Sequence, residues 1–471
     1  MRHIRIFAAI ALMTMMTSTA VAQIVSPVDF MRNNPRNTFA NPAFFTADYG
    51  YFDFLLGGVN VGLQNTGLKY NKFFRFNAQG QPSVLDLNSG IASLRDKNYL
   101  NAYGTLDIFN CGRRTAHGFF TYSHRFRFFE TASYTKDLIA LVAQGNGSYL
   151  GEGNPANINL ELSTRMYQEF NFGYQMCLTE NLNIGARVKF LMGFIDAKTQ
   201  AMNMQLFTDP TTYALRLTAD ADIQAALPYE FTVVDGQLKV VDSRFNIANL
   251  FKNYGFGVDL GAEYKINDQF GVAAAVNDLG LIFWRNHPVR FTAGIQDGGH
   301  YYDNGAFVFN GLTQNDLDNM MNDPDFASHL VDTLKGYIGI TPTTLTGYNT
   351  GLNTSMMLRG YYDITPEHRV SAQLMGYNMG LGLKPALTVA YSGSFAENFD
   401  VVATYTMMQG SYDNIGIGLS ANLGGFMIYA ASNNVLGFFN PANVSQLNLQ
   451  VGIAFTATDK ISRSETVVIK D

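Results

Sequence analysis

The chain has 471 residues, and its charged fraction is 15%, below the roughly 25% of soluble proteins. Aromatic residues make up 13%, glycine numbers 44, and the mean hydropathy is −0.02, which excludes a bundle of membrane helices. The net charge of −6 comes with no basic stretch that would track a phosphate backbone, so nucleic acid is excluded as a partner.

Arg2, His3 and Arg5 form a basic start, and Ile6 to Met16 form an apolar run. That run is shorter than the ~20 residues a membrane-crossing helix needs. Ala20-Val21-Ala22 supplies the small-x-small pattern of a signal-peptidase site. Residues 1–22 therefore read as a signal peptide, cleaved after Ala22 to leave Gln23 first. No cysteine lies near the site, so a lipoprotein is excluded. After Ala22 no apolar run approaches membrane-helix length. The mature chain either floats in the periplasm, leaves the cell, or spans an outer membrane as strands.

Residues 23–50 read as a lead-in or plug. They contain Asn33-Asn34-Pro35-Arg36-Asn37-Thr38-Phe39-Ala40 and then Asn41-Pro42-Ala43. Asn and Pro favour turns, and Pro denies a ladder hydrogen bond. Such a segment cannot easily join a strand wall. It is expected either to fold into a barrel mouth or lumen, or to serve as a simple turn before a first strand around Phe52 to Leu63. As a plug it should be removable without loss of the wall.

From residue 51 to 456 the chain alternates with period two. Phe170, Phe172, Tyr174 and Met176 share one face, against Asn171, Gly173, Gln175 and Cys177. Thr179-Glu180-Asn181 is a polar turn. Leu182, Ile184, Ala186, Val188 and Phe190 return, opposite Asn183, Gly185, Arg187 and Lys189. A soluble sandwich would also alternate, so one hairpin decides nothing. The pattern recurs around the turns at Ile266–Gln269, Thr365–Glu367, Ala396–Asn398 and Gly424–Gly425, and ends on Leu447 to Phe455. Short polar turns on one side and long connections on the other predict an all-β, transmembrane antiparallel barrel, with periplasmic turns and outer loops. The long connections run about Gln64 to Asn98, Phe129 to Gln168, Ala226 to Asn253 and Asp297 to Asn353. The last holds Asn315 to Lys335, where apolar residues at helical spacing, interrupted by Asp323-Pro324, predict two short helices. Parity between Ala197 and Asn253 does not resolve, and the strand count is an even number of about 14, with 12 or 16 as alternatives.

Gly, Ser, Thr and Asn dominate the polar face. That face predicts a weakly charged lumen that is packed, occupied or narrow, where a wide pore would show charged rings. Leu260 and Val451 are assigned outward, Gly261 and Gly452 inward. Arginine is expected to cost less at the two glycines than on the lipid face, unless the lumen is packed. Residues 457–471 form a polar periplasmic tail. Cys111 and Cys177 are the two cysteines, and they either pair or remain thiols. His117 and His124 fall on opposite faces, and no metal-spaced pair or catalytic triad is present. No enzyme activity, metal or cofactor is expected.

The early Asn41-Pro42-Ala43, a barrel of this length and turns such as Thr179-Glu180-Asn181 resemble the FadL-type fatty-acid channels and the PorV-type barrels of type IX secretion. Gly255 to Ala262, Asn277-Asp278-Leu279-Gly280 with Trp284, and Tyr429 to Pro441 resemble more closely an outer-membrane barrel family known only as a domain of unknown function. FadL-type channels have 14 strands and an N-terminal hatch, and release hydrophobic ligands sideways. The resemblance implies that Asn41, Pro42 and Ala43 sit in a comparable plug. The expected function is then a channel or carrier for a hydrophobic or amphiphilic small molecule in a Gram-negative outer membrane. The alternative is an accessory barrel that binds secretion or surface proteins through its outer loops. A third is a structural barrel with a closed lumen. The terminal aromatic usual in outer-membrane barrels is replaced by a tail after Phe455, a departure from the common assembly signal.

Overall fold

The computed structural model describes residues 25–44, 50–77, 81–115, 117–234, 237–242, 251–297, 301–310, 337–378, 383–395, 398–408, 411–440 and 444–457. Its wall is a closed antiparallel β-barrel of 14 strands. In chain order these are β1 (Gly50–Asn65), β2 (Lys97–Arg114), β3 (Phe119–Thr135), β4 (Leu160–Cys177), β5 (Leu182–Thr208), β6 (Tyr254–Lys265) and β7 (Phe270–Trp284). They continue with β8 (Ser355–Asp363), β9 (His368–Asn378), β10 (Leu383–Phe395), β11 (Phe399–Met408), β12 (Ser411–Asn422), β13 (Phe426–Ser432) and β14 (Gln446–Ala457). Each strand pairs with the next, and β14 pairs back on β1 from Gln446 opposite Gln64 to Ala457 opposite Gly50. Closure leaves no wall edge unpaired, which a bilayer demands of any strand structure.

Alternation sorts the side chains. On β14, Leu449, Val451, Ile453 and Phe455 are exposed while Asn448 and Ala454 are buried. On β8, Met356 and Leu358 are exposed while Met357 and Arg359 are buried. An apolar exterior around a polar interior inverts the order of a soluble protein and suits hydrocarbon on the outside. No helix among the described residues is long and apolar enough to cross a membrane.

The strands start and stop where the turn residues stand. Asn181, Asn267, Glu367, Asn398 and Gly424–Gly425 lie in short connections at the end where β1 begins and β14 finishes. The strands flanking 66–96, 136–159, 209–253 and 285–354 end and resume at the other end. Two connections at that end depart from the expected length, since β9 and β10 are joined through 379–382 and β11 and β12 through 409–410. The connection expected over Phe129 to Gln168 is also shorter, because β3 runs on to Thr135 and β4 already starts at Leu160. The two helices expected within Asn315 to Lys335 lie outside the described residues, as do the expected signal peptide and the expected tail beyond Ala457.

β5 explains the unresolved parity. It has 27 residues, where a tilted crossing takes about 10. Its first part pairs with β6, and from Asp196 to Thr208 it pairs instead with Leu215–Ala226. That strand pairs with Val289–Ile295, which pairs with Ile338–Thr344. A second sheet thus stands beyond the wall at the long-loop end, on a strand that the wall shares. Cys111 and Cys177 are free thiols.

Candidate functional site in the lumen

Residues 25–44 lie inside the barrel, and their local sequence makes them turn rather than extend. Ser26 caps the turn Pro27–Phe30, its hydroxyl accepting from the Val28 N–H while the Asp29 carboxylate accepts from the Ser26 N–H at 2.9 Å. Asn34 caps Pro35–Phe39 by accepting from the Arg36 N–H at 3.0 Å. Asn41 folds its side-chain oxygen back onto the Ala43 N–H at 2.8 Å. Proline at the first position of both turns matches its fixed φ and missing donor. The first turn packs on β10 to β13.

The Asn41-Pro42-Ala43 turn seats in a notch built from glycine. Gly185 on β5 and Gly261 on β6 are register partners. A Cβ on Gly261 would fall 1.9 Å from the Asn41 side-chain oxygen, and one on Gly185 would fall 2.1 Å from the Pro42 carbonyl oxygen. Asn41 Nδ2 donates to the carbonyls of Ala262 and Ala274 at 3.2 and 3.3 Å, and Asn277 Nδ2 donates to the Ala40 carbonyl at 2.8 Å. Ala40 and Phe44 pack with Ala273, Ala275 and Met357. With its amide turned, Gln175 donates to the Pro42 and Phe44 carbonyls at 2.8 and 2.7 Å.

Above this notch the lumen is not weakly charged, contrary to the expectation from its small residues. Asp53, Arg36, Asp107, Arg125, Glu169, Arg127, Asp278, Lys189, Asp259 and Arg187 follow one another as neighbouring ion pairs of alternating sign. Five are cations and five are anions, so the chain is neutral, and every member is buried. It passes through the N-terminal segment at Arg36 and returns to it at its far end, since Arg187 donates to the Thr38 carbonyl at 2.9 Å. The Phe39 ring lies 3.8 Å from the Arg125 guanidinium carbon and 4.8 Å from that of Arg187. Single charges at inward positions escape a reading by composition, because each strand carries only one or two. Parity already put Arg187, Lys189 and Asp259 inward. The partners on β1 to β4 had no such flag.

Asn277-Asp278-Leu279-Gly280 earns its place here. Between β6 and β7 the register slips by one residue at Val258 and Leu260, and Asp278 takes φ +58°. The bulge aims its carboxylate at Arg127, 2.8 Å away, and at Lys189. A larger break lies in β1. Its pairing with β14 jumps from Phe52 opposite Phe455 to Val59 opposite Val451, and its pairing with β2 jumps from Phe54 opposite Phe109 to Gly58 opposite Asp107. β1 is therefore bulged, with Leu55 to Gly57 lacking a register partner on either side, beside the Arg36 ion pairs. Nearer the long-loop end the lumen is lined by Tyr103, Phe129, Tyr167, Trp284, Met375 and Met408, all buried.

A cavity of about 30 Å³ bounded by Phe39, Arg127, Lys189 and Asp278 lies within the charge chain, room for a water or two. A wider one of about 180 Å³ opens at the short-turn end. There the Glu367 carboxylate is held below its ordinary range by the Thr365 hydroxyl and its own N–H. His117 is exposed, and His124 bonds Gln168 and stacks on Phe170. Among the described residues no group of metal-ligating side chains is brought together.

A family model described as "Family of unknown function (DUF5723)" matches residues 42–433. No curated protein matches the sequence. Among solved structures, a TodX deltaS2S3 mutant monoaromatic hydrocarbon channel has a TM-score of 0.43 at 10% identity, over 90% of this chain and 95% of that one; TodX is the Pseudomonas putida toluene transporter. A Pseudomonas aeruginosa FadL homologue has a TM-score of 0.39 at 10% identity, over 90% of this chain and 94% of that one. The Ralstonia pickettii toluene transporter TbuX has a TM-score of 0.39 at 8% identity, over 90% and 94%.

Proposed function

The chain belongs to the family of unknown function DUF5723, and from that premise we propose that its barrel passes a hydrophobic or amphiphilic small molecule through a Gram-negative outer membrane. What carries this reading is the bulge in β1, where Leu55 to Gly57 have no register partner on either neighbouring strand. A molecule arriving from the long-loop end meets aromatic and methionine side chains first. Below them the axial route is closed by ten paired charges and by residues 25–44. Separating buried ion pairs costs several kcal/mol each, so an apolar solute does not go that way. The bulge in β1 is the weakest point of the wall and the way out sideways, into the membrane, when it moves, with the Arg36 ion pairs to Asp53 and Asp107 as its latch. Residues 25–44 are the plug in this reading. The test removes Leu55 to Gly57, which brings β1 to a more even register. Uptake of a hydrophobic dye by proteoliposomes should fall to the empty-vesicle level while the heat-dependent gel shift of a folded barrel persists. Undiminished uptake by the shortened barrel overturns the lateral route.

A second reading, an accessory barrel that holds a partner protein, is favoured by the sheet standing beyond the wall on β5. Removing that sheet would then abolish partner capture and leave dye uptake unchanged. Export fits both readings, with residues 1–22 cleaved after Ala22. N-terminal sequencing of the mature protein should begin at Gln23, and a retained Met1 would contradict it.

A further inference from the structure

The wider cavity, at the short-turn mouth, is lined by four cationic side chains, Arg32, Lys265, Arg359 and Arg369, against the carboxylates of Asp29 and Glu263. Three of these charges are already engaged, Arg32 through a long ion pair to Asp363 at 3.8 Å and a bond to the Pro366 carbonyl at 2.7 Å. Arg369 is taken by Asp363 through two bonds of 2.7 and 2.8 Å, and the Asp29 carboxylate caps its own turn. Arg359 is different. It is buried, 6% exposed, and its hydrogen bonds go to neutral acceptors: Nε and Nη2 to the Gln373 amide oxygen at 2.9 and 2.6 Å, and Nη1 to the Asp29 carbonyl at 2.9 Å. Among the described residues no carboxylate lies within ion-pair distance of it. A guanidinium carries five N–H donors, so two remain. Phe30 and Phe44 rings, 4.0 and 4.7 Å from its central carbon, hold the head group in place.

A buried cation without an anion is costly, and the fold keeps this one rigid beside a cavity open to solvent. We propose that this cavity binds a small oxyanion, a phosphate or carboxylate group, between the free donors of Arg359 and the cations at the rim, Arg32 and Lys265. Arginine forks suit two oxygens of one such group. The site takes half its lining from the N-terminal segment, so an occupied site ties that segment to β6 and β8. The inference does not depend on transport.

The experiment follows thermal unfolding of the full chain, folded in detergent, as sodium phosphate is titrated against chloride at constant ionic strength. A saturable rise in the unfolding temperature is expected. Arg32→Gln and Lys265→Gln, both at the solvent-facing rim, should each weaken the apparent affinity about tenfold, the loss of one charge-assisted bond. Arg359→Gln should abolish saturation. If that variant fails to fold, the two rim variants decide. Saturation by phosphate assigns a free anion. Saturation only in nanodiscs containing phosphatidylglycerol, and not phosphatidylcholine, assigns a lipid headgroup. The absence of saturation with either probe, or identical curves for wild type and rim variants, overturns the site.

Discussion

Gly452 shows how one position can be read correctly for direction and wrongly for tolerance. Period two places it inward and Val451 outward, and the structure agrees. An inward residue in a wide, wet lumen would accept a long side chain. Here a Cβ on Gly452 would fall 2.2 Å from the Gly57 carbonyl and 2.6 Å from the Tyr429 hydroxyl. The bulged part of β1 fills the space that glycine leaves. Val451→Arg puts a charge on the lipid face and should cost about 2–4 kcal/mol near the midplane. Gly452→Arg should cost at least as much, because overpacking (about 1–3 kcal/mol) adds to a buried unpaired charge. Urea unfolding in lipid vesicles compares them, and a milder Gly452→Arg would mean that the lumen is open at that level. Alternation fixes a side chain's face because the period is two. It says nothing of what stands opposite, which depends on a segment some four hundred residues away.

At the scale of elements, turn chemistry made the hairpins legible. Asn, Asp, Glu and Gly clusters ended each alternating run, and strands are found on either side of every one. The N-terminal turns were legible for the same reason, since Ser26, Asn34 and Asn41 all cap locally. The β1 break was missed although it leaves a mark: apolar residues sit on even positions at Phe52 and Phe54 and on odd ones at Val59, Val61 and Leu63, with Gly57-Gly58 where the parity slips. The dependence of the wall on residues 25–44 was not legible. They make no strand ladder with the wall, which argued for easy removal. Yet they supply Arg36 to Asp53 and Asp107, two carboxylates that are buried. Deleting residues 25–44 leaves Asp53 with only the Asn110 amide and Asp107 with only Arg125, so the expected result is a barrel that still closes but unfolds in less urea. Arg36→Ala alone should cost about 3–5 kcal/mol, the usual penalty for breaking a buried pair. The deletion should also raise conductance in planar bilayers, while the single change should not. Unchanged stability in both variants would mean that water already reaches Asp53 and Asp107.

At the scale of the molecule, β5 joins two sheets that the sequence could not count together. Periodicity carries no mark where a strand leaves the bilayer, so the long stretch after Ala197 defied parity. The continuity has a mechanical consequence. The outer sheet begins on residues that continue directly from the wall, so it cannot come away without straining the register that β5 keeps with β6. Trp284 reports on this junction. It is the single tryptophan in the chain and is fully buried where β7 leaves the wall. Its indole N–H donates to the Thr350 hydroxyl at 2.7 Å, and its ring packs on Tyr348 and over Gly193 of β5. Indole emission should therefore be blue-shifted and shielded from acrylamide in the folded protein. On heating, both properties should change together with the gel-mobility shift, since coincident transitions mark one cooperative unit. Quenching that sets in well below the temperature of the gel shift would show the outer sheet opening alone, with β5 acting as a hinge and not as a shared spine.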